Sequence, residues 1–183
     1  MENSIVYGIK EIIEEIEACT KCEKYFAALT MALILPDICS KIESNGKKGG
    51  ENYIKWCNKW LHPYFAGQGF SLSLEIGKII YKLRCGILHN AENDVKKYEY
   101  NCFNLDEFEF YLDESERDID TAFVFYEEKY TGDLREEGYE NKAKIKVNIK
   151  YLLSAIVNGT CHFINKRNLT TDKFPCIEIF KMH

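Results

Sequence analysis

Arg84 and His89 stand five residues apart at the end of a helical stretch, Ser71 to Asn90, SLSLEIGKIIYKLRCGILHN. Histidine is the side chain that moves protons near pH 7 without special tuning. Arginine stays charged, and its planar fork meets two phosphate oxygens at once. Together they could grip and cleave a phosphodiester. A regular α-helix separates the two by about 7.5 Å along its axis and about 140° around it, so a single chain does not converge them on one phosphate. The same residues have a plainer use, because cations near a helix C-terminus favour its dipole.

The pair is positioned by a helix with one face to bury. Leu72, Ile76, Ile79, Ile80, Leu83 and Ile87 recur at helical spacing, and Asn90 is a good left-handed terminator. Lys78 and Lys82 on the same element, with Asn90, are candidates to extend a phosphate track. Upstream, Ile5, Ile9, Ile12, Ile13 and Ile16 predict a first helix, and Phe26, Leu29 and Leu33 a second from about Lys21 to Leu35. Pro36 should end that helix and open a short third, Asp37 to Ile42. Residues 44–50 read as a flexible basic loop, and Tyr53, Ile54, Trp56, Trp60 and Leu61 mark a fourth helix stopped by Pro63. Asp37 and Glu43 are candidates to orient Arg84 by ion pairing, although a solvated helix end is the plainer use of both.

Beyond Asn90 the period shifts toward two. Glu99 to Leu105, Glu107 to Leu112, Ala122 to Tyr126 and Lys144 to Asn148 predict short antiparallel strands, around loops at 113–120 and 131–141. A last helix from about Ile149 to Asn165 returns Leu152, Leu153, Ile156, Val157 and Phe163 to the core, and Phe174 to Phe180 reads as a final short strand. The expectation is a mainly α fold: one domain over residues 1–183, a helical bundle (about 5–90 and 149–165) with a β-hairpin or small antiparallel sheet inserted at about 98–148.

At 183 residues and 46% hydrophobic the chain can build a core without staples. The net charge of −5 conceals a division: residues 41–90 carry 8 Lys and Arg against 3 Asp and Glu, 91–140 carry 5 against 17, and 141–183 carry 8 against 2. Local charge decides whether a phosphate backbone is attracted. Of the 8 cysteines, Cys39, Cys57, Cys85 and Cys161 sit in apolar helical patterns, and the single Cys19–Cys22 pair lacks the partners of a zinc site. No metal and no cofactor is expected, since P-loop, GxGxxG, HExxH and EF-hand patterns are missing from the sequence. No apolar run approaches the roughly 20 residues of a membrane span, and the acidic N-terminus resembles no targeting signal, so a cytoplasmic location is expected. Trp56 and Trp60 read as core, and His62 and His162 as structural.

The string Tyr81-Lys-Leu-Arg-Cys-Gly-Ile-Leu-His-Asn90 resembles the signature of the HEPN family (higher eukaryotes and prokaryotes nucleotide-binding domain), an Arg followed after four to six residues by a His late on a bundle helix. Leu35-Pro-Asp-Ile-Cys-Ser-Lys-Ile-Glu43 and Gly50-Glu-Asn-Tyr-Ile-Lys-Trp56 are similar to segments preceding it in one bacterial subfamily, so the likeness covers about residues 20–90. The resemblance implies a metal-independent endoribonuclease, often a homodimer with its paired motifs at a two-fold axis, acting in phage defence or as a toxin with an antitoxin protein. Two positions depart from it: many members carry Asn after the Arg, where this chain has Cys85, and one subgroup carries Tyr two residues beyond the His, where this chain has Ala91.

RNA suits the pair because its 2′-hydroxyl is a built-in nucleophile, leaving proton transfer and charge stabilisation to the protein. A dimer would set two copies of His89 across one cleft as acid and base. The alternatives are a catalytically silent HEPN module binding RNA, a nucleotide or a partner protein, and an interaction protein working through the acidic 91–140 block.

Overall fold

The computed structural model describes residues 2–65, 76–90, 94–100, 103–112, 123–128 and 142–169; for His89, Asn90 and most strand residues it describes the backbone alone. Expectations at Leu72, Ala91, the 66–70, 113–120 and 131–141 loops and the 174–180 strand lie outside the described residues. The helices are α1 (Glu2–Lys21), α2 (Tyr25–Ala32), α3 (Leu35–Glu43), α4 (Gly50–Trp60), the single turn α5 (His62–Phe65), α6 (Ile76–Cys85) and α7 (Ile149–Lys166). Between α6 and α7 run strands β1 (Asp94–Tyr100), β2 (Phe103–Tyr111), β3 (Phe123–Glu128) and β4 (Lys142–Asn148). The expected bundle with a β insertion before the last helix is what forms.

Three helices stop by the same backbone device. After α1, α3 and α7 the chain turns left-handed at Glu23, Asn45 and Asn168. The next amide then reaches back to the third-last carbonyl: Lys24 to Cys19 at 2.8 Å, Gly46 to Lys41 at 2.8 Å, Leu169 to Ile164 at 3.2 Å. This closure satisfies carbonyls that would otherwise be orphaned. It also corrects two expectations. Helix α2 starts at Tyr25, not Lys21, because α1 runs on to Lys21 and its closing turn uses residues 22–24. The 44–49 loop is not slack: Ser44 Oγ donates to the Lys47 carbonyl at 2.6 Å and Asn52 Nδ2 to the same oxygen at 3.3 Å.

The core joins Ile9, Ile13 and Ile16 of α1, Leu29 and Leu33, Tyr53, Trp56 and Trp60 of α4, Ile79, Ile80 and Leu83 of α6, and the apolar face of α7. Two stripe residues fall outside it: Ile5 is 42% exposed, with Val6 buried in its place, and Phe26 is 54% exposed. Helix α4 is central, packing on α3, α6 and α7. Glycine allows two close approaches. A Cβ on Gly77 of α6 would strike the Ile54 carbonyl, and one on Gly159 of α7 would strike Leu61. Asn58 Oδ1 accepts from the Gly77 amide at 2.7 Å, satisfying a donor in the first turn of α6.

Tyr25–Glu43 is, by length and composition alone, apolar enough to cross a membrane, which the sequence reading did not anticipate. Here it is divided into α2 and α3, with Pro36 in the first turn of α3, and Ala28, Leu29, Leu35 and Cys39 are buried in the core.

The four described strands lie in the order β1-β2-β4-β3. The hairpin β1–β2 is antiparallel and β3–β4 is antiparallel, but the central pair β2–β4 is parallel, so the sheet is mixed and not antiparallel throughout. Tyr100 pairs with Phe103 in that hairpin, and β2 runs through the expected break at Asp106. Leu105 and Glu107 oppose the consecutive residues Ala143 and Lys144, so Asp106 is an extra residue absorbed as a bulge. Phe108, Ile145 and Val147 are buried and carry the sheet onto the helical core.

Candidate functional site

Asp37 lies in the first turn of α3 and Arg84 in the last turn of α6, each at the helix end whose dipole favours its charge. Arg84 Nε donates to Asp37 Oδ2 at 3.0 Å, and a terminal guanidinium nitrogen lies 2.8 Å from the same oxygen. Burial alone would weaken the charge on Arg84, but the hydrogen bond and field of Asp37 outweigh it and hold the guanidinium firmly protonated. With side chains 19% and 38% exposed, the pair is part-buried.

The surround is aromatic. Tyr81 sits one turn before Arg84, its ring 5.4 Å from that of Tyr53 and tilted by 58°. Gly50 opens α4 against this ring; a Cβ there would come to 2.6 Å from the phenol. Tyr53 is buried and donates its hydroxyl to the Leu33 carbonyl at 3.1 Å, which ties α4 to the α2–α3 junction. Burial raises the Tyr81 phenol above its ordinary range, and neighbouring Cys85 adds to the effect, so the hydroxyl stays protonated. Cys85 itself is half-buried beside the guanidinium.

Past Cys85 the helix widens. Residues Gly86–Asn90 form a π turn, not the continuation of an α-helix. Closure from i to i+5 turns the chain by less per residue, so positions 84 and 89 diverge by less than the about 140° of a regular helix. That removes part of the geometric motive for sharing the site between two chains. Ile87 is buried and anchors the turn from its inner side. The backbone of His89 lies in the turn; the side chains of His89 and Asn90 are outside the described residues.

Other candidates fall elsewhere. Glu43 does not join Asp37 at Arg84: its carboxylate accepts from Lys59 Nζ at 2.6 Å and from Trp60 Nε1 at 3.2 Å, and lies 3.6 Å from Arg167. Six residues separate Asp37 from Glu43, about 9 Å along α3 and about 120° apart around it, so one helix cannot present both to one partner. Lys78 and Lys82 share a face of α6, but Arg84 lies two residues beyond Lys82, on the far side of the helix. Among the described residues no three His, Cys, Asp or Glu stand close enough to hold a metal ion. The sequence reading missed Tyr81 and Gly50, although an aromatic residue one turn before Arg84 was a readable signal. Comparison with family models, curated proteins and solved structures finds no match to this chain.

Proposed function

We propose that the protein is a metal-independent endoribonuclease of HEPN type, with Arg84 and His89 as its reacting pair. The observation that carries the reading is a part-buried arginine, oriented by Asp37, two residues before a π turn that contains His89. Turns of this kind occur often at functional sites. The Arg84 guanidinium would bind the non-bridging oxygens of the scissile phosphate and stabilise the charge that builds there. A histidine base would take the proton of the 2′-hydroxyl as its oxygen attacks phosphorus. The bond from phosphorus to the 5′-oxygen then breaks, and an acid protonates the departing oxygen. The products are a 2′,3′-cyclic phosphate and a 5′-hydroxyl. One imidazole cannot be base and acid in the same step, so a homodimer bringing two copies of His89 to one cleft is part of the proposal. Bacterial defence or a toxin–antitoxin pair is the proposed setting, on resemblance alone.

The test is cleavage of single-stranded RNA, with melting temperature measured in parallel. His89→Ala should lower the rate about 10²–10⁴-fold. If His89 only caps the helix, the change instead costs about 0.3–1 kcal/mol of stability and spares activity. Arg84→Lys should be nearly as damaging, since an ammonium cannot reproduce the bidentate grip. A substrate with a 2′-deoxy sugar at the cut should survive, and a chelator should change nothing. Folded variants that cut RNA at the parental rate would overturn the proposal. RNA binding without cleavage would favour the silent module, a reading supported by Cys85 standing where many family members have Asn.

A further inference from the structure

Trp60, only 4% exposed, is ringed by positive side chains from two helices. Lys59 Nζ lies 5.1 Å and Lys166 Nζ 5.7 Å from its ring centroid, and the exposed His162 meets it edge-on at 5.5 Å. Glu43 sits among them, bonded to the indole N–H and to Lys59, with Arg167 at 3.6 Å. Among the described residues, Lys59 and Arg167 thus face the one carboxylate of Glu43 while Lys166 lies over the same indole, a surplus of two positive charges on an exposed surface. Cations at the end of α7 would be ordinary if they capped its carbonyls, but backbone does that work here: Asn168 N–H reaches the Asn165 carbonyl and Leu169 N–H the Ile164 carbonyl, both at 3.2 Å. The lysine is directed from the end of α7 onto Trp60 of α4 and the arginine onto Glu43 of α3 instead.

We infer that this cluster is a second contact surface for RNA, in which Lys166 and Arg167 each meet a backbone phosphate of the strand cut at Arg84. The inference rests on the proposed nuclease reading for its ligand. The occupant follows from charge: two surplus cations match successive phosphates. Trp60 holds the cluster in place; its indole N–H is already spent on Glu43. Asp37 and Glu43 mark the two ends of α3, so a strand reaching both surfaces crosses about 9 Å of that helix.

The experiment measures binding of a single-stranded RNA bearing 2′-O-methyl groups throughout, which cannot be cut, as a function of salt. The double variant Lys166→Gln, Arg167→Gln should flatten the plot of log affinity against log salt by about 1.4, at about 0.7 per lost phosphate contact. On cleavable RNA its KM should rise while kcat is retained, whereas Arg84→Lys should lose kcat. Lys166→Gln alone leaves the Glu43 bonds intact and should flatten the slope by about 0.7, which covers the case that the double variant folds poorly. A slope equal to the parent's in both variants overturns the inference even if the protein cuts RNA. A parent that binds RNA without cutting, and loses slope in the variants, sustains this surface while refuting the nuclease. Binding to polyglutamate stronger than to RNA, or no RNA binding by the parent, refutes it.

Discussion

Asp37 and Arg84 are 47 residues apart in sequence, yet they form the best-defined contact at the candidate site. Both groups remain partly in water, so the pair adds less than about 1 kcal/mol to stability. Its larger effect is positional, because the carboxylate fixes the orientation of the guanidinium. Asp37→Asn should therefore leave the melting temperature within a few degrees of the parent's. RNA cleavage should fall by up to about 10²-fold, the scale of a misplacement near 1 Å. Equal losses of stability and activity would make Asp37 a structural residue only. The Tyr53 phenol illustrates the opposite balance: buried, with its hydroxyl on the Leu33 carbonyl, it belongs to the scaffold.

At the scale of elements, the direction of α6 is set where it crosses α4. Gly77 lets the two backbones touch, with the Ile54 carbonyl filling the space a side chain would need, while Asn58 satisfies the Gly77 amide. Gly77→Ala would force that carbonyl or the helix aside and should cost about 1–3 kcal/mol by overpacking. Since Arg84 rides on the same helix, cleavage should fall with it; denaturant melting beside a rate measurement tests both. A variant as stable as the parent would mean that α6 shifts freely against α4. In the sheet, the parallel register sets Glu107 opposite Lys144 and Glu109 opposite Lys146.

For the molecule as a whole, burial governs the response to alkali. The thiols of Cys39 and Cys57 and the phenol of Tyr53 are kept neutral by burial well above their ordinary values of 9.0 and 10.0. In the unfolded chain they ionise near those values, so the unfolded state then binds fewer protons than the folded one. Stability is fully present below about pH 8 and declines as pH rises past 9 and then 10, by at most about 1.4 kcal/mol per pH unit for each group. Melting temperatures measured from about pH 7 to 10.5 should show that decline. A flat profile would show that these groups meet water in the folded protein.

What the sequence by itself determined was the helices other than the single turn α5, most of the inner faces of α1, α6 and α7, the order of bundle and insertion, and the Arg84–His89 spacing. Those features repeat at 3.6 or 2 residues, or lie close in the chain, so local periodicity records them. Tertiary structure alone decided the rest. Phe26 belongs to an apolar pattern yet faces water, because which side of a helix is covered depends on its neighbours. Strand direction was invisible, since alternation has no polarity and a parallel partner supplies the same facing residues as an antiparallel one. The two acids of α3 looked equivalent in sequence; the crossing of α6 near one end and of α4 and α7 near the other sent Asp37 to Arg84 and Glu43 to Lys59, Trp60 and Arg167. The π turn after Cys85 was equally hidden, because an apolar pattern of i and i+4 spacing is compatible with either helix, and the choice is made by what Ile87 must reach in the core.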